Sequence, residues 1–161
     1  MNLRAFRDTL ALYATGVTVV LSRYGLATHG MTVNSFTSVS LRPPLVLFCA
    51  DNRADTLKTV QQAGYYTVSI LGEEHAWISQ RFAVAGPQED LLAEVRLGQG
   101  PASGVPYLSD ALAFLECRVT DVIPAGDHHI VVGEVEHLGR LNPHRPLIYF
   151  DHRYRRLTPE P

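Results

Sequence analysis

Leu3, Phe6, Leu10 and Tyr13 recur at helical spacing and predict an amphipathic helix over residues 3–14, ended by Gly16. Val17 to Leu21 is β-branched and apolar, and Ala27 to Val33 returns after the Tyr24-Gly25 turn as the second strand of a hairpin. Pro43-Pro44 leads into Leu45-Val46-Leu47-Phe48-Cys49, a continuous apolar run that reads as a buried strand. A helix follows from Asn52-Arg53-Ala54-Asp55-Thr56 to Ala63, with Gly64 at its end, and Tyr65 to Leu71 is the next strand. Glu73 and Glu74 suit the first turn of a helix that reaches Phe82.

Residues 83–110 are broken by Gly86-Pro87, Gly98, Gly100-Pro101, Gly104 and Pro106, and read as a long excursion with one short helix from Asp90 to Arg96. In the last third, Ala113, Leu115, Cys117 and Val119 alternate with Glu116, Arg118 and Thr120, a half-buried strand. Gly126-Asp127 is a turn signal, and Ile130 to Leu138 is its expected partner. Leu147 to Phe150 is one more strand, and Tyr154 to Leu157 is expected to close the sheet. Strands dominate and no βαβα rhythm is present, so the fold class is mainly β with peripheral helices (α+β). A closed antiparallel barrel fits best, because closure removes exposed edges.

The 161 residues carry 46% hydrophobic and 19% charged side chains, the make-up of one globular domain spanning 1–161. A formal charge of −2 provides no field for nucleic acid or anionic lipid, so neither is an expected partner. The start Met1-Asn2-Leu3-Arg4 lacks a signal-peptide pattern, and no stretch is apolar enough for a membrane-spanning helix. Cys49 and Cys117 each sit in an apolar run, which fits reduced thiols and a cytoplasmic location. No metal is expected: His128 and His129 are adjacent and on a strand face opposite ways.

Three segments carry candidate chemistry. Tyr24 to Leu41 is the longest uncharged stretch and holds Thr28, Thr32, Asn34, Ser35, Thr37, Ser38 and Ser40. Its hydroxyls and main chain suit a flat heteroaromatic ligand; equally, they suit a polar loop capping its own turns. Arg53 and Thr56, on a helix start capped by Asn52 or Asp51, form an anion site or an ordinary capped helix. His128, at the Gly126-Asp127 turn, is placed to donate to a substrate amide or guide a proton.

In this order the pieces resemble the flavin reductase-like domain family. The resemblance is carried by Ala14-Thr15-Gly16-Val17-Thr18-Val19-Val20, by Gly30 to Ser40 with the Pro43-Pro44-Leu45-Val46 exit, by Ala63-Gly64, by Gln80-Arg81-Phe82 and by Gly126-Asp127-His128. It implies an FMN-binding split β-barrel, generally a homodimer, that uses NADH or NADPH to reduce FMN or FAD for a separate flavin-dependent monooxygenase. It further implies that Thr32, Val33, Asn34 and Ser35 line the isoalloxazine, and that Ser38, Val39 and Ser40 hold ring and ribityl chain. Cys49, Ala50, Asn52, Arg53 and Thr56 would surround the ribityl and phosphate end, and Arg81 would approach from the following helix. His128 would contact the nicotinamide, as the one catalytic side chain, and Tyr154 would close that side. Val84 to Tyr107 departs from the family pattern, which keeps open a flavin-holding electron carrier without its own NAD(P)H oxidation.

Overall fold

Asn2 starts the first helix by accepting the Arg4 and Ala5 amides on Oδ1, at 2.9 and 3.4 Å, and α1 spans Leu3–Leu10. It ends earlier than the apolar spacing predicts, because the chain must reach strand β1 (Thr15–Gly16). The computed structural model describes residues 1–158. Within them follow β2 (Thr18–Tyr24), β3 (Ala27–Val33), β4 (Thr37–Leu41), β5 (Pro44–Asp51), α2 (Asp55–Ala63) and β6 (Tyr65–Ile70). A 3-10 turn (Glu73–His75) leads into α3 (Ala76–Phe82), then α4 (Glu89–Glu94), β7 (Leu97–Gln99) and β8 (Pro106–Leu108). The long hairpin β9 (Ala113–Ala125) and β10 (His128–Arg140) precedes β11 (Ile148–Phe150) and β12 (Arg153–Arg155).

Seven strands form one antiparallel sheet in the order β3-β2-β6-β9-β10-β5-β4. The sheet curls around a core in which Phe48, Tyr66, Val20, Val68 and Val131 are fully buried, with Leu57 and Val60 of α2 packed among them. Both faces of β2 are covered. Val20 points to this core, while Val19 and Leu21 meet Ile78 and Phe82 of α3 and Leu91 of α4 in a second core. That two-sided burial is why β2 reads as a continuous apolar run rather than an alternation.

Two expectations are corrected. The sheet is not closed by hydrogen bonds: β3 and β4 remain its two edges. Where their connection passes β5, the Ser35 hydroxyl takes the pairing groups of Cys49. It accepts from the Cys49 amide at 2.9 Å and donates to the Cys49 carbonyl at 3.3 Å. Nor does the C-terminal segment join this sheet: β12 pairs with β11, which pairs with β1, as a separate three-stranded sheet.

The hydroxyl-rich run contains an element the hydrophobic pattern conceals. Thr37–Leu41 is an exposed edge strand paired to β5, from Thr37 opposite Leu47 to Leu41 opposite Pro44. The 83–110 excursion also holds more order than expected, since β7 and β8 pair with each other. Their connecting turn is pinned from below by the fully buried Glu116 of β9, which accepts from the Ala102 amide at 3.0 Å and the Ser103 amide at 2.8 Å.

Candidate active site

At the end of β5 the chain turns into α2, whose N-cap residue is Ala54, with no side-chain cap. Neither expected cap forms. Asn52 is held by the β9–β10 turn: its Oδ1 lies 2.7 Å from His129 Nδ1, and its Nδ2 donates to the Gly126 carbonyl at 3.3 Å. Asp51 turns its carboxylate to Arg53, accepting from the amide at 2.8 Å, Nε at 3.1 Å and Nη2 at 3.0 Å. These bonds hold the Asp51 carboxyl well below its ordinary range and raise the Arg53 guanidinium. The α2 N-terminus, with its unpaired amides and positive dipole end, is left facing a cleft.

That cleft has a volume of about 570 Å³, within the roughly 300–1,000 Å³ range of small-molecule sites. One side is β3 from His29 to Thr32, the second is Asp51 and Arg53–Thr56, and the third is Phe82–Gly86 with Gln88. Thr32 Oγ1 donates to the Ser79 carbonyl on α3, and Ser79 Oγ shares a 2.7 Å hydrogen bond with the Tyr154 hydroxyl. Those bonds tie β3, α3 and β12 together behind the cleft.

Of the residues singled out in the sequence, Thr32, Arg53 and Thr56 meet in this cleft. Asn34 and Ser35 line a separate depression of about 490 Å³ beside β1 and β2. The side chains of Val33 and Ala50 are buried in the core, so only their main chain can serve a ligand. Ser38, Val39 and Ser40 lie on edge strand β4, and Cys49 is half-buried on β5. Arg81 pairs with Glu94 at 3.3 Å on the surface. His128 does not line the cleft; it stands opposite Asp51 in the β10–β5 register. Its Nδ1 donates to Asp127 Oδ1 at 2.7 Å, which lowers the Asp127 pKa and fixes the ring's orientation.

Sequence reasoning did not single out His29, Asp55 or Gln88 as site residues. Gln88 had no signal, since it follows Gly86-Pro87 in a stretch without periodicity. Asp51 carried one, the two-residue spacing to Arg53, which reads as a cap until the carboxylate's real partner is seen. Among the described residues, no group of three or more His, Cys, Asp or Glu is placed to hold a metal ion, and no helix is long and apolar enough to cross a membrane.

Residues 10–158 match the flavin reductase like domain. The chain belongs to this family. It is 44% identical over 156 residues, 96% of each chain, to the reductase component of 4-hydroxyphenylacetate 3-monooxygenase from Thermus thermophilus. It is 37% identical over 159 residues, 97% of this chain and 89% of the relative, to an NADH:riboflavin 5′-phosphate oxidoreductase from Streptomyces pristinaespiralis. Among solved structures, the NADH:FAD oxidoreductase of Streptomyces globisporus C-1027, in complex with NAD and FAD fragments, superposes with a TM-score of 0.92 at 34% identity, covering 99% of this chain and 94% of that one. This flavin reductase-like chain therefore shares the mostly β, antiparallel architecture of flavin reductases along nearly its whole length.

Proposed function

We propose that this chain is an NADH:flavin oxidoreductase and that the cleft between β3, the α2 N-terminus and residues 82–88 receives the flavin. One observation carries the placement: an uncapped helix N-terminus beside Arg53 opens into a cleft whose other lining is mostly apolar groups, main chain and hydroxyls, with His29 and with the Asp51 and Asp55 carboxylates paired to Arg53 and Lys58. A flavin carries its charge on its phosphate, which the helix end and Arg53 suit, while its ring and ribityl chain are uncharged. The α2 amides and Arg53 take the phosphate, and Arg53 leaves Asp51 to do so. Thr56 borders the ribityl chain and Thr32 the ring, while Asn34 and Ser35, in their own depression, and Ser38–Ser40 on β4 lie outside this cleft. Arg81, Cys49 and Asn52 support this shell from outside the cleft.

A bound flavin supplies the acceptance of a hydride from reduced nicotinamide. The chain contributes position. His128 Nε2 accepts a hydrogen bond from the nicotinamide carboxamide, its ring fixed by Asp127. Tyr154, tied to Ser79, closes the same side. Both the FMN-type and the FAD-type relatives use NADH, which is therefore the proposed donor. The flavin is FMN or FAD, and the reduced product passes to a monooxygenase partner in the cytoplasm. The test is steady-state NADH oxidation with FMN or FAD. His128→Ala is expected to raise KM for NADH about tenfold, the loss of one hydrogen bond, while flavin affinity changes less than about twofold. Equal loss of flavin affinity would move His128 to the flavin.

The working form is proposed to be a homodimer. α1 buries none of its residues, and its stripe stays open, with Leu3 at 73% and Leu10 at 56% exposure. Leu41 on edge strand β4 is 88% exposed. A second copy that covers these faces removes both the apolar patch and the open edge. Sedimentation equilibrium should give twice the chain mass, and Phe6→Glu with Leu10→Glu should return the monomer. A wild-type monomer at micromolar concentration would rule this out.

A further inference from the structure

Residues 83–88 form the one side of the cleft that is neither strand nor helix. The segment leaves α3 after Phe82, and Gly86 adopts φ +136, a conformation other residues rarely take. Among the described residues, 85–87 make no main-chain hydrogen bond. What fastens the segment is Gln88, whose side chain is almost fully buried. Its Oε1 accepts from the Gly30 amide at 2.7 Å and its Nε2 donates to the Gly30 carbonyl at 2.8 Å. A single side-chain amide thus pairs with both main-chain groups of one residue on the outer edge of β3, as a neighbouring strand would.

From this geometry we infer that Gln88 is a positioning residue that latches the irregular wall of the cleft to β3 and so sets how long the flavin stays bound. The inference rests on the cleft being the flavin site. Flavin seated between β3 and residues 82–86 has this wall along one side, so opening the latch frees its exit. The latch touches neither the α2 N-terminus nor His128, so hydride transfer within the filled site depends on it less than flavin retention does.

The experiment is FMN release followed by stopped-flow fluorescence for wild type, Gln88→Ala and Gln88→Glu, with anaerobic flavin reduction by saturating NADH as the second readout. Gln88→Ala should release FMN about tenfold faster, the scale of one to two hydrogen bonds, and reduction at saturating flavin and NADH should fall by a smaller factor than flavin retention. Gln88→Glu is nearly isosteric and keeps the test valid if the alanine variant does not fold. Ionised, it accepts from the Gly30 amide but repels the carbonyl; protonated, it donates again. Its release rate should therefore fall back toward wild type as pH drops below about 5, a reversal that mere loss of packing does not produce. Wild type that binds FMN while both variants release it at the wild-type rate overturns the inference alone. Wild type that binds no flavin overturns it together with the flavin reading.

Discussion

Gly30→Ala is expected to lower the melting temperature by several degrees and weaken flavin binding at least as much as loss of the Gln88 latch. A Cβ at this position would stand 2.4 Å from Leu21 Cδ2 and 2.7 Å from Phe82 Cε1. Neither can yield cheaply, since Leu21 is fully buried and Phe82 nearly so, at 0% and 2% exposure. Overpacking of this kind costs about 1–3 kcal/mol, and at this chain length each kcal/mol lowers Tm by roughly 2–4 °C. The strain then reaches the site in two ways. Phe82 begins the third wall of the cleft, and Gly30 holds both hydrogen bonds of Gln88. Differential scanning fluorimetry with a flavin titration well below Tm reads both effects. An unchanged Tm would mean that the β2–β3–α3 contact is looser than these distances state.

Glu116→Ala is expected to cost about 1–3 kcal/mol, because it removes the charged acceptor of the Ala102 and Ser103 amides and leaves a void beneath their turn. The β7–β8 hairpin should lose its protection from hydrogen exchange first, while β6, β9 and β10 keep theirs. Burial alone would raise the Glu116 pKa; the two amides and the Ser103 hydroxyl outweigh it and hold the value below the ordinary 4.5. The sign follows from proton linkage. The folded chain binds this proton less readily than the unfolded chain, so the stabilisation is complete above pH 4.5 and is lost as pH falls through the lowered value. Urea melts at pH 7 and at successively lower pH should show Glu116→Gln less stable than wild type at neutral pH, with a shallower acid loss. Parallel curves for the two proteins would remove Glu116 from the acid response.

Elements with a residue period or a local end signal were legible from residue pattern. The alternation from Ala113 to Thr120 marked β9 as a strand, but not a half-buried one as it implied, since Glu116 on its polar face is fully buried beneath the β7–β8 turn; Gly64, at φ +70, marked the end of α2. β4 was not legible, because Thr37 to Ser40 lies on an edge with hardly any side chain buried, so no apolar period exists to read. The stripe on α1 predicted a helix correctly, yet the surface that stripe matches lies outside this chain's own core. At the site, Arg53 and Thr56 were found because their chemistry is local to a helix start. The uncapped state of α2 was hidden, because Asn52 is taken by Gly126 and His129, more than seventy residues away. Gln88 was hidden for the same reason, its partner Gly30 being 58 positions distant.

The central claim, that this chain itself passes a hydride from NADH to a flavin, is tested most directly by anaerobic stopped-flow absorbance at the flavin maximum after the flavin-loaded protein is mixed with NADH. Rapid bleaching, slowed in His128→Ala at subsaturating NADH and recovered as NADH is raised, is the expected result. A flavin that binds in the cleft but is bleached by neither NADH nor NADPH would contradict the account, and would leave a flavin-holding protein that needs an outside electron donor.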